Sequence, residues 1–179
     1  MPRNFDAAMA DSTDCFRRLI EKPLLKILGG GRIIMVEGVE GEIAKTLDLQ
    51  AGIDALHDHP RFGVNGLAIR TQIGANYETF TIRYRRESGG RTEFEKRLHA
   101  LRHDKLTPKL TVQCYVDPTG EKLLAGAVAR TEDLYACIDR GKYRMLATGS
   151  DQIGRASFYA IDWDDVRSLP SSWCPIFNA

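Results

Sequence analysis

Residues 61–110 hold eleven lysines or arginines against five aspartates or glutamates, which makes this stretch the chain's concentration of positive charge. Arg83, Arg85, Arg86, Arg91, Lys96, Arg97, Arg102, Lys105 and Lys109 supply most of it. Cations gathered on one surface attract a polyanion, and such contacts to phosphate weaken steeply with salt. The bland alternative is a solvated face, its charges paired with Glu87, Glu93, Glu95 and Asp104. Asp54 stands apart from these in the apolar run Gly52-Ile53-Asp54-Ala55. A carboxylate there either stabilises a turn or serves a site, because burying it without a partner is costly. Tyr77 and Tyr84 offer rings on which bases stack, although Tyr84 also suits a core.

Two histidine pairs suggest a different chemistry. His57 and His59 share one face of an extended run, and His99 and His103 have the i, i+4 spacing with which a helix grips one transition metal. The second pair lacks the glutamate that follows the first histidine in zinc proteases. Nucleophilic catalysis has little support, since no Gly-x-Ser-x-Gly elbow occurs. Gly29-Gly30-Gly31 leads into an apolar run with no Walker lysine behind it, so it does not read as a phosphate loop.

The elements that must position these groups fit one unit. A chain of 179 residues, 43% hydrophobic, suits a single domain over 1–179 with a C-terminal tail at 170–179. No apolar run approaches the roughly 18 residues of a membrane span, and Asp6, Asp11 and Asp14 are out of keeping with a secretory leader, so a cytoplasmic protein is expected. Cys15, Cys114, Cys137 and Cys174 are too scattered for a zinc ribbon and read as reduced, packed thiols.

Helical spacing of Phe5, Ala8, Met9, Phe16, Leu19 and Ile20 predicts a helix over 5–21 that Pro23 ends or kinks, then a short apolar piece at 24–28 and a strand at 33–36. A short run at 52–56 carries Asp54. Alternation predicts a strand at 67–73, with Leu67, Ile69 and Thr71 on one face and Ala68, Arg70 and Gln72 on the other, and another at 77–86. Asn65-Gly66 suits a hairpin turn, so these three runs read as an antiparallel meander. Thr92 and Glu95 form a capping-box pattern for a helix with Phe94, Leu98 and Leu101 inward and Arg91, Lys96, Arg97 and Arg102 outward. Strands at 110–116 and 123–129 flank the turn Asp117-Pro118-Thr119-Gly120. A helix at 134–138 capped by Thr131, strands at 143–148 and 158–163 and a helical turn at 164–169 complete the chain. The fold class is α/β, a mixed central sheet with flanking helices.

The order helix, strand, Asp-bearing strand, hairpin partner, third strand, helix, strand resembles the core of the PD-(D/E)XK nuclease superfamily over residues 5–130. In that family an Asp near the start of one strand and a Glu-x-Lys on its neighbour hold a divalent metal. The resemblance puts Asp54 in the first role and Arg70-Thr71-Gln72 where Glu-x-Lys would be. Arg70 replaces the second carboxylate and Gln72 the lysine, so a carboxylate must come from elsewhere, because Mg²⁺ takes oxygen ligands. Glu21 is the first candidate, followed by Glu37 and Glu93.

What the resemblance implies is hydrolysis of a DNA or RNA phosphodiester by metal-activated water. Asp54 and Glu21 would hold Mg²⁺, Gln72 would orient water or phosphate, and Arg70, Arg83, Arg85, Arg91, Lys96, Arg97 and Arg102 would grip the backbone. If no carboxylate joins Asp54, the same fold is a silent adaptor that binds nucleic acid or an acidic protein partner. Trp173, Ile176 and Phe177 in the tail either dock on the domain's own core or seat a partner or a second copy of the chain.

Overall fold

The computed structural model describes residues 13–36, 46–87, 89–147 and 156–178; the side chains of residues 48–50 are not described. The predicted segment 5–12 and Glu37 fall outside this set. Among the described residues, helical residues 13–15 lead into a π-helical turn, Phe16–Ile20, that runs directly into α1, Glu21–Ile27. Of the two outcomes expected at Pro23, an end or a kink, the end does not occur, since α1 runs through it. The Glu21 N–H bonds the Phe16 carbonyl five residues back, a widened turn that loosens the helix just where the proline ring enters.

Strands β1 (Arg32–Met35), β2 (Ala55–His59) and β3 (Gly63–Ile73) form a true antiparallel meander. The predicted turn at Asn65-Gly66 is not there. Both residues lie inside β3, and the chain reverses at residues 60–62, where the N–H groups of Arg61 and Phe62 donate to His59 Nδ1 at 3.0 and 3.2 Å. Gly66 is instead a close-approach residue, since a Cβ on it would meet Ile53 Cδ1 at 2.8 Å.

The predicted third meander strand also goes elsewhere. β4, Thr79–Arg86, leaves the main sheet and pairs antiparallel with β8, Ala156–Asp162. The next strand beside β3 is β5, Leu110–Val116, and it runs parallel. Parallel neighbours need a crossover. β4 and helix α2, Glu93–Arg102, supply it. β6, Leu123–Arg130, and β9, Ile176–Phe177, extend the sheet antiparallel, in the order β1-β2-β3-β5-β6-β9. β4, β8 and β7, Arg144–Ala147, make a second sheet of three strands. A π-helical turn at Thr46–Ala51, helix α3, Thr131–Asp139, and α4, Trp163–Arg167, are the other described elements, and among the described residues no helix is long and apolar enough to cross a membrane.

β5 is buried on both faces apart from Leu110, because the sheet is covered on each side. Val112 and Cys114 face Phe16, Ile20 and Leu24, while Tyr115 joins Phe80, Ile82, Leu134 and Trp163 on the other side. Two polar side chains fasten the second sheet to the first. Tyr115 Oη donates to the Thr79 carbonyl at 2.8 Å, and Gln113 Oε1 accepts from Thr81 Oγ1 at 3.1 Å.

Thr131 is not the expected cap but the first helical residue, and its hydroxyl bonds Thr111 Oγ1 at 3.0 Å. The tail docks on its own sheet. Cys174 and Phe177 are buried, β9 pairs with β6, and Trp173 and Ile176 remain exposed.

Candidate functional site

The site is assembled where β2 begins, along β3 and at the first two turns of α2. Asp54 immediately precedes β2. Its N–H bonds the Leu67 carbonyl at 2.9 Å and its carbonyl accepts from Val36 N–H at 3.0 Å, so its backbone is held by both neighbours. Its Oδ2 accepts the Ile69 N–H at 2.6 Å. Because Ala55 pairs with Leu67, Asp54 lies beside Ala68, and β3 alternation brings Arg70 to the same face.

Helix α2 starts at this face for local reasons. Thr92 caps it, accepting the Glu95 N–H at 3.3 Å while Glu95 Oε2 accepts the Thr92 N–H at 2.8 Å, as the predicted capping box requires. The next residue, Glu93, then points at the sheet. Its Oε2 accepts from Arg70 Nη2 at 2.8 Å and from Arg83 N–H at 3.4 Å, and its Oε1 lies 2.6 Å from Arg97 Nη1. Burial alone would push the Glu93 carboxyl up. Arg97, Arg70, the Arg83 N–H and the Arg83 guanidinium outweigh it and hold the group below the usual glutamate range.

Arg97 was expected on the outer face of the helix but is 3% exposed. Its i, i+4 relation to Glu93 turns it inward, and its Nη2 donates to the Gly52 carbonyl at 3.3 Å. Gly52 has φ +64°, a conformation that favours glycine, and it lets the guanidinium pack against bare backbone. Arg70 and Arg83 both stack on the Phe158 ring, at 5.0 and 5.5 Å from its centre.

These groups line a cavity of about 190 Å³ walled by Asp54, Ala68, Arg70, Glu93, Lys96 and Arg97, with the exposed Arg86 at its edge. Among the described residues it holds four cations, Arg70, Arg86, Lys96 and Arg97, against the carboxylates Asp54 and Glu93.

The structure thus brings together Asp54, Arg70, Lys96 and Arg97 of the predicted set. Glu21 is not with them. It lies on α1, which packs through Leu24 against Ala55 and Leu67 on the opposite face of the sheet. Gln72 is further along β3, opposite Tyr115, and off the cavity wall, so the triplet beside Asp54 is Ala68-Ile69-Arg70 and not Arg70-Thr71-Gln72. Arg83 stands behind the cluster, and Arg85, Arg91 and Arg102 are exposed and outside the cavity lining. Glu93 is the residue whose weight the sequence reading underestimated; its spacing to Arg97 was the available signal.

The histidine pairs have other work. His57 Nε2 lies 2.7 Å from the Gly30 carbonyl and His59 Nε2 lies 3.2 Å from that of Gly29. A carbonyl only accepts, so each Nε2 carries a proton and serves as a donor. His99 Nε2 is engaged by Lys105 Nζ at 3.2 Å. Among the described residues no group of three or more His, Cys, Asp or Glu side chains is arranged to hold a metal ion.

No protein-family model, curated protein or solved structure matches this chain.

Proposed function

We propose that the chain is a nucleic-acid-binding protein with a nuclease-like core, and that its cavity grips phosphate without cutting it. The fold supports the resemblance in its strand directions: β1, β2 and β3 antiparallel, then a crossover through α2 to β5, parallel to β3. Asp54 sits at the start of β2, as the family pattern asks.

The single observation that carries the rest is the placing of Glu93 between Arg70 and Arg97. The Ala68 side chain offers no oxygen beside Asp54, and among the described residues both oxygens of the one carboxylate that joins it in the cavity are held by guanidinium groups. Mg²⁺ needs near-octahedral oxygen ligands at about 2.0–2.1 Å. Asp54, whose Oδ2 already accepts the Ile69 N–H, in a cavity whose described lining carries excess positive charge, is a poor donor set for it. Among the described residues, the donor set does not fit a metal-activated water. The same residues fit an anion, because guanidinium forks match phosphate oxygens and the low-dielectric wall strengthens the attraction.

The test is equilibrium binding of labelled single- and double-stranded DNA and RNA across a salt series, with Arg86→Gln and Lys96→Gln beside the unsubstituted protein. Affinity that falls steeply with salt and is weakened by both variants supports the reading. Absence of binding at low salt overturns it.

A further inference from the structure

Arg97 carries a feature that the ion pair with Glu93 does not explain. Its Nε has no hydrogen-bond partner among the described residues, although the residue is 3% exposed and lines the cavity. A buried donor left unpaired is costly, and a charged one more so. The guanidinium plane is fixed by Glu93 on one side and the Gly52 carbonyl on another. A methyl on Gly52 would stand 3.6 Å from Nε, so the missing side chain keeps that approach open.

We propose that the cavity receives a phosphomonoester, the terminal phosphate of a nucleic-acid strand, in preference to a phosphodiester from a strand's interior. This rests on the nucleic-acid reading above and names the part of the polymer that the site takes. Charge is the first argument. Among the described residues four cations face two carboxylates in the cavity, an excess of two. A phosphomonoester carries about −1.5 to −2 at neutral pH, whereas a backbone diester carries a single charge.

Size is the second argument. A cavity of about 190 Å³ falls short of the roughly 300 Å³ at which pockets begin to enclose drug-sized ligands. It suits a phosphate and the edge of its sugar. Depth is the third. An interior diester has a sugar on each side and stays at the rim near Arg86, while a terminal group has one bare side with which to reach Arg97. Glu93 is then a positioning residue that holds the Arg70 and Arg97 guanidinium groups at the cavity wall, where the Arg97 Nε is left to donate to an incoming oxygen, and Lys96 lines the same cavity.

The experiment compares one short single strand in four forms: 5′-phosphorylated, 3′-phosphorylated, hydroxyl at both ends, and circularised. Binding is measured at fixed salt, with nucleoside monophosphate and inorganic phosphate titrated separately as free sources of the same chemistry. One phosphorylated form should bind about tenfold more tightly than the hydroxyl-ended and circular forms, the scale of one good charge-assisted contact. Lys96→Gln, at a half-buried position, should lose most of that preference while keeping the native unfolding transition. Arg97→Lys should lose it as well, since an ammonium cannot keep the Glu93 and Gly52 contacts and present a further donor in the place of Nε.

Equal affinity for all four forms overturns the proposal and leaves the nucleic-acid reading intact. Binding of free phosphate or mononucleotide but of no strand overturns both, and so does binding of nothing. An end preference that survives Lys96→Gln and Arg97→Lys unchanged places the phosphate elsewhere and also overturns the proposal.

Discussion

Glu93 and Arg97 stand one helical turn apart on α2, their charged atoms separated by 2.6 Å, and the arginine side chain is only 4% exposed. Two charges held this far from water stabilise each other, yet the desolvation of both offsets much of the gain. What the pair cannot tolerate is the loss of one member.

Glu93→Ala leaves the buried Arg97 and the partly buried Arg70 without their shared carboxylate. Unfolding by urea should show a loss of about 3 kcal/mol or more. Replacing both members with apolar residues, Glu93→Leu with Arg97→Met, should recover most of it. A loss below about 1 kcal/mol for Glu93→Ala would mean that water reaches the cluster freely.

Acid should act through the same carboxylate. The folded chain holds the Glu93 carboxyl below its usual range, so the folded state favours the ionised form. That stabilisation is complete above the ordinary glutamate value of about 4.3 and drains away as pH falls through the lower, folded value. Stability measured from pH 6 downward to about 3 should therefore fall more steeply for the natural chain than for Glu93→Gln. Parallel acid limbs contradict the assignment.

Zinc should find no stoichiometric site at the first histidine pair. His59 accepts two backbone N–H groups at Nδ1 and meets the Gly29 carbonyl at Nε2, so both ring nitrogens are committed to the turn. Equilibrium dialysis should return no tightly bound Zn²⁺, and His59→Ala should cost about 1–3 kcal/mol through the freed backbone groups. Stoichiometric zinc lost in His57→Ala would reverse this reading.

The tail should contribute to stability. Phe177 is 6% exposed and lies so close to Gly126 that an alanine there would collide with its ring. Gly126→Ala should destabilise by about 1–3 kcal/mol, the usual range for overpacking, and should expose the tail to carboxypeptidase. Unchanged stability and protease resistance would show that the tail is dispensable.

Much of the frame was legible in the residues. Strand β5 was predicted over its full length at 110–116, and the Thr92 and Glu95 pair marked where α2 begins. Asn65-Gly66 misled because the sequence that makes a tight turn also makes a close approach, and only the packing of Ile53 separates the two. The alternation in β4 revealed a strand but not its partner, since Ile82 pairs with Tyr159, far along the chain.

The site was readable by residue type and misread by register. Asp54, Arg70, Lys96 and Arg97 were all singled out, but which triplet of β3 lies beside Asp54 depends on the pairing of Ala55 with Leu67. Glu93 stayed in the background because a charged residue in a first helical turn is ordinarily solvated. Its importance comes from the tertiary approach of Arg70, which no local pattern encodes.

The central claim, that this cavity grips phosphate without cutting it, is tested most directly by incubating excess protein with end-labelled DNA and RNA in Mg²⁺ or Mn²⁺. Denaturing gels would be run beside Asp54→Ala, and binding measured in the same tubes. The account predicts bound but intact strands for both proteins. Cleavage by the natural chain that disappears in Asp54→Ala would contradict it and make Asp54 the ligand of a working metal site.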